Sequence, residues 1–365
     1  MSDKSLKSTI FVSQKRKFHP VNAWLKVLSI CGILVLGSCS ESASTEGSTP
    51  EAVADTLSSS SSRTPKENST RGEIYIAVDE SLRPIITAEI KTFMAIHPEA
   101  IIHPVFLPGE EAVARMIESD SIRLAITTRS LTKAEDGVMR DRLISTDYGV
   151  MGYDGIALVV HEDNPVSEWT EEQLRAVLTG KTTRWSDLSP EGTSKAIQLV
   201  FDHPQSSVLR FLRDSVLAPA ALTQERIFAQ QSTPEMFRYV AQNPSAVGFG
   251  GVSWISDRDD ADTDTLLAGL KIVKIQPTAM PETCFESDSA YFGPFQSYLF
   301  QKCYPLTRQI RSIRRESIYG LGAGFTAYVV GPKGQRIIHK AGLVAETNVP
   351  RQVQFPERPD SRSVQ

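Results

Sequence analysis

At 365 residues with 41% hydrophobic content the chain can bury a sizeable core, and its 43 acidic against 39 basic side chains give a formal net charge of −4. That acidic balance argues against nucleic acid or an anionic membrane surface as partner. The six histidines are scattered, with neither H-E-x-x-H nor clustered Cys/His spacing, so no metal site and no cofactor are expected.

In chain order, a basic segment with Lys15, Arg16, Lys17 and Lys26 precedes an apolar run over 27–36 that is too short to span a membrane. This pattern reads as an export signal over residues 1–38. Its end, "LGSC" at 36–39, resembles the lipobox of bacterial lipoproteins, which implies cleavage before Cys39 and a lipid on that cysteine; an ordinary signal peptide with a chance cysteine is the alternative. Cleavage removes six basic residues and one acidic one and leaves a body of net −9. An anion bound by such a body must be held by local hydrogen-bond donors. Cys284 and Cys303 then remain as a pair in an oxidising compartment, where a disulfide between them is expected; two free buried thiols are the other reading.

Residues 39–71 are rich in Ser, Thr, Glu and Pro and predict a flexible tether. Residues 72–344 then alternate strand-like runs at 73–78, 101–106, 123–127, 155–161, 197–202 and 271–275 with helical patterns, which predicts two α/β lobes with largely parallel sheets. Thr132 with Glu135 and Thr170 with Gln173 fit capping boxes, while Pro84, Pro234 and Pro332 suit first helical positions. Residues 345–365 read as a surface-bound or disordered tail.

The stretch "VFDHPQSSVLRFLRD" at 200–214 is a strand, a proline break, two serines and a helical pattern. Serines at a helix start can offer an anion their hydroxyls beside free backbone N–H groups, or Ser206 can simply cap the helix. Asp202, His203 and Ser206 are triad residue types, but they lie too close in sequence for triad geometry, and no G-x-S-x-G elbow is present, so no enzyme is expected. "GLGAGF" at 320–325 lacks the strand and downstream acid of a dinucleotide fold, and Trp169, Trp185 and Trp254 read as packing residues.

"YDGIALVVHEDNPVSEWTEEQLRAVLTGKTTRWSDL" at 153–188 resembles the phosphate-binding proteins of ABC importers (PstS-like). Similar in the same order are "LAITTRSLTKAE" at 124–135, "NPSAVGFGGVSWI" at 243–255, "YPLTRQI" at 304–310 and "GLGAGFTAYVVGPKGQRIIHKAGLV" at 320–344. The resemblance implies a two-lobed clamshell of type II with two crossover strands, lobe 1 being about 72–155 with 306–344 and lobe 2 about 156–305. It also implies a non-enzymatic monomer that takes inorganic phosphate between its lobes and passes it to an ABC permease. The ligand donors it implies are Ser81 and the backbone of Leu82, Thr128 and Arg129, and Ser206 and Ser207, with Asp154 accepting from a protonated phosphate oxygen or merely serving as a turn residue. The chain departs from the family's pattern at Asp202, where an arginine is usual, and at Glu110 and Glu111 beside Gly109. Those glutamates either cap their helix and point away, or signal another ligand or compensation by Arg129, Arg83 or Arg210.

Overall fold

The computed structural model describes residues 67–347 apart from 143, 145, 224, 257–264, 285–289 and 317. The expected signal peptide, the lipidated Cys39, most of the tether and the tail after 347 lie outside the described residues. Within them, no helix is long and apolar enough to cross a membrane. The folded body begins ahead of the first strand, because Glu67 pairs with Arg123 at 2.8 Å and Asn68 bridges Arg71.

The chain opens with β1 (Gly72–Asp79), a 3-10 turn (Glu80–Leu82) and α1 (Arg83–Ile96), followed by β2 (Ala100–Leu107), α2 (Gly109–Glu118), β3 (Ile122–Thr127) and α3 (Lys133–Asp141). From Ile76 onward β1 is covered on both faces, while Glu73 and Tyr75 before it are exposed. Ile74, Ile76 and Val78 join the core that includes Ile86 and Phe93 of α1, whereas Ala77 joins a second cluster with Ala112, Val113 and Met116 of α2. A strand buried on both faces has to be apolar almost throughout, which is why it does not alternate cleanly.

A long strand, β4 (Asp147–His161), carries the chain onward to β5 (Glu168–Thr170), α4 (Glu171–Leu178), β6 (Gln198–Phe201) and the short α5 (Ser207–Phe211), which continues into a π turn (Leu212–Leu217). Then come β7 (Ile227–Ala229), α6 (Thr233–Gln242), β8 (Ala246–Gly251), β9 (Leu270–Gln276), α7 (Gln296–Phe300), β10 (Thr307–Arg314), α8 (Leu321–Val330), α9 (Pro332–Lys340) and β11 (Val344–Ala345). Both capping boxes form: Thr132 and Thr170 each accept from the backbone three residues on, and Glu135 and Gln173 reach back. Pro84, Pro234 and Pro332 sit in the first turns of α1, α6 and α9.

The strands run in the order β2-β1-β3-β10-β4-β8-β6-β7. The outer strands are parallel, β2 with β1 and β1 with β3 on one side, β7 with β6 and β6 with β8 on the other. The centre is antiparallel, β10 pairing with β3 and β4, and β4 with β8 and β9. A chain that leaves one lobe and later returns must cross in opposite directions, which limits the expected parallel pairing to the flanks. Strand β4 changes partners midway: Gly155 faces Thr307 of β10, and the next residue, Ile156, faces Gly251 of β8. Two lobes therefore share one strand, and the fold is the two-lobed α/β clamshell. Trp169 and Trp185 meet edge to face at 5.8 Å between ring centroids, fully buried, as packing residues. Cys284 and Cys303 form a disulfide with Cα atoms 5.8 Å apart.

Candidate functional site

The site forms where β1, β4, β10 and the start of α5 converge. Asp79 ends β1 and caps the turn that follows, its Oδ1 accepting from Ser81 N at 3.0 Å and from Ser81 Oγ at 2.8 Å. The same oxygen accepts from Ser207 Oγ of α5, on the other lobe, at 3.0 Å. Thr128, just beyond β3, donates to Asp79 Oδ2 at 3.3 Å. Asp79, Ser81 and Ser207 are all buried.

Arg308 supplies the positive charge. The antiparallel register sets it directly opposite Asp154, and it is 3% exposed. Its Nε and Nη2 both donate to Asp154 Oδ2, at 3.1 and 2.8 Å, while Nη2 also reaches Ser81 Oγ at 2.9 Å and Nη1 reaches Ser207 Oγ at 3.1 Å. One guanidinium on the returning strand thus touches a hydroxyl from each lobe. Burial pushes the Asp154 carboxyl up, and Arg308 works against that shift.

The expected site residues divide. Ser81, Ser207, Thr128 and Asp154 are brought together around Arg308 and Asp79, and Leu82 follows Ser81 with its side chain in the core. Ser206 uses its hydroxyl oxygen as the α5 cap, accepting from Val208 N at 3.1 Å, and keeps its proton to donate. Arg129 is held elsewhere: Nη1 and Nη2 each donate to Glu135 at 2.6 Å, and Nη2 lies 3.3 Å from Glu110. Burial alone would lift the Glu135 carboxyl, but Arg129 and the Thr132 backbone bring it down to about 2. Glu110 does not point away. It bridges Arg129 and, across the cleft, Arg210, whose Nε lies 2.8 Å from its other oxygen.

Beside this cluster, between the lobes, lies a cavity of about 310 Å3 lined by Asp79, Glu80 and Arg83 of one lobe and Asp202, His203 and Ser207 of the other. Arg83 is forked onto Glu80 at 2.8 and 2.5 Å and lies 4.0 Å over the Phe106 ring. Asp202 is 4% exposed, accepts from Thr233 Oγ1 at 3.2 Å through Oδ2, and has no partner for Oδ1. Burial raises its carboxyl; a hydrogen bond from Ser206 opposes that shift and the Asp79 charge adds to it. Among the described residues no cluster of three or more His, Cys, Asp or Glu could hold a metal ion.

Arg308 and Asp79 are the functional candidates that the motif reading passed over. Arg308 occupies the inward face of β10 with Ile310 and Ser312, an arginine at an apolar register position. Asp79 stands in "DESLRP", where attention fell on the serine.

The family model described as PBP superfamily domain matches residues 63–333, most of the chain. The chain belongs to the PBP superfamily. Curated relatives include the phosphate-binding protein PstS of Bacillus subtilis, 23% identical over 205 residues, which are 56% of this chain and 65% of that protein. The PstS of Staphylococcus saprophyticus is 24% identical over 143 residues, 39% of this chain and 44% of the relative. The aligned parts thus span from under half to about two thirds of those relatives. Among solved structures, a candidate phosphate ABC transporter substrate-binding protein of Clostridium perfringens, with bound phosphate, superposes with a TM-score of 0.59 at 21% identity, covering 76% of this chain and all of that one. An ABC-type phosphate transport receptor of Vibrio cholerae gives 0.54 at 18%, covering 75% and 100%. These likenesses establish the fold. The curated relatives are themselves named as phosphate-binding proteins.

Proposed function

We propose that the chain is a lipid-anchored substrate-binding protein of the bacterial cell envelope, which captures inorganic phosphate between its lobes and delivers it to an ABC permease. In this reading the lobes are residues 72–155 with 306–344 and residues 156–305, Cys39 carries the lipid, residues 39–71 are the tether, and the protein acts as a monomer. The observation that supports it is the convergence of the Ser81 and Ser207 hydroxyls, one from each lobe, on the buried Arg308. Neutral donors polarised by one buried guanidinium suit a small oxyanion, and they let an acidic protein bind one without long-range attraction. Ser206, Thr128 and the Leu82 backbone would complete the donor set. Asp154 would offer its Oδ1, the oxygen that Arg308 does not engage, to a protonated phosphate oxygen. The carboxylates of Asp79 and Asp202 on the cavity wall favour a second reading, an oxyanion or organic anion that itself carries hydrogen-bond donors.

The test is titration calorimetry of the full chain, freed of bound phosphate, with phosphate and with sulfate. Phosphate-selective binding that is lost in Arg308→Gln is the expected result. Binding of neither anion to a folded protein would remove phosphate and move the search to donor-bearing anions.

A further inference from the structure

The proton inventory of the central cluster singles out Asp79. Arg308 can only donate, so Ser81 Oγ at 2.9 Å and Ser207 Oγ at 3.1 Å must both accept from it. Each hydroxyl has one proton to give, and the acceptor in reach of both is Asp79 Oδ1, at 2.8 and 3.0 Å. The two hydroxyls also lie 3.1 Å apart, so one of the two protons can be shared between Asp79 Oδ1 and the neighbouring hydroxyl. Asp79 Oδ1 in addition takes the Ser81 backbone N–H, and Oδ2 takes Thr128. A carboxylate oxygen is thus surrounded by a backbone N–H and two hydroxyls drawn from both lobes, the environment a clamshell builds for an oxygen of a bound anion.

We infer that Asp79 is a built-in anion: its carboxylate fills the oxyanion receptor, ties the two lobes together through Ser207, and competes with any solute for the same donors. A solute oxyanion displaces Asp79 and takes over the Ser81 and Ser207 protons. Other links also join the two lobes: Arg308 Nη1 donates to the same Ser207 Oγ at 3.1 Å, and Gln296 Nε2 reaches the His339 carbonyl at 2.8 Å. Ser253 Oγ reaches the Ser81 carbonyl at 3.3 Å, and Glu110 meets Arg210 at a partly exposed ion pair, a kind that contributes little. Gly109 lets this closure happen, since a Cβ there would lie 2.4 Å from Ser207 Cβ and 2.9 Å from Asp79 Oδ2.

The closure half of this inference stands alone, and the competition half rests on the phosphate reading. Small-angle X-ray scattering compares the full-length wild type, prepared without phosphate, with Asp79→Ser and with Ser207→Ala, which removes the hydroxyl that both Asp79 and Arg308 reach across the cleft. The expected result is a compact wild type and a larger radius of gyration for both variants, each with a cooperative thermal transition. Calorimetry then finds phosphate bound about tenfold tighter or better by Asp79→Ser than by wild type. A wild type already as expanded as the variants, compaction that survives Ser207→Ala, or phosphate bound equally or more weakly by Asp79→Ser overturns the inference. If phosphate binds neither wild type nor Asp79→Ser, the phosphate reading falls and the scattering result alone decides whether Asp79 closes the lobes. Should Asp79→Ser fail to fold, Ser207→Ala decides in the same way.

Discussion

Glu89 sits on the inner face of α1, fully buried, and neither of its carboxylate oxygens has a hydrogen-bond partner. The Tyr328 hydroxyl of α8 is likewise without one, and its own upward shift comes from burial first and Glu89 second. Burial alone pushes the Glu89 carboxyl from 4.5 up to about 9. The folded protein then holds a proton that the unfolded chain releases, so stability is greatest below the unfolded value and falls as pH rises towards the folded one. Glu89→Gln removes the titration. Urea melts should show wild-type stability declining from about pH 5 to about pH 9 and a flatter profile for the variant; parallel profiles would mean that Glu89 is solvated or paired. At this same scale the sequence was least legible. Serine after a strand is a familiar donor, so Ser81 and Ser207 could be picked out, but the role of Asp79 depends on where two protons point. Arg308 and Asp154 are 154 positions apart and meet only through strand register.

Elements were far more legible. Capping boxes and first-turn prolines are local chemistry, set by residues three or four apart, and each forms where the spacing placed it. The antiparallel centre was not, because strand direction depends on the path of the chain and not on any local pattern. The start of α2 shows an element shaped by a neighbour from the other lobe. Its first residue, Gly109, has an ordinary backbone, and the constraint is space: Ser207 Cα would lie 3.2 Å from an added Cβ. Gly109→Ala should leave α2 folded, since alanine favours helix, while holding the lobes apart. The expected outcome is an unchanged or slightly raised melting temperature with an increased radius of gyration. A variant as compact as wild type would show that Ser207 can yield.

Across the whole molecule, the alternation of strands and helices was enough to anticipate two α/β lobes, because burying both faces of a sheet needs that rhythm. The crosslink was legible as well, since Cys284 and Cys303 are the expected pair and both lie in the second lobe. The disulfide closes a stretch with a sequence separation of 19 near the return to β10. A crosslink over a loop of that size stabilises by about 3 kcal/mol, largely by limiting the unfolded chain. Cys284→Ser combined with Cys303→Ser should lower the urea midpoint accordingly and leave the denaturant slope little changed; no loss would mean that the bond does not form. The sharing of β4 has a consequence in time. Strands of the second lobe are all synthesised by Gln276, whereas the first lobe's sheet stays open between β3 and β4 until β10 arrives at residues 307–314. A chain that emerges from its N-terminus therefore completes its later lobe first, leaving two bare strand edges waiting in the earlier one. The strand that finally fills that gap carries Arg308, so the candidate site comes into being in the same step that finishes the fold.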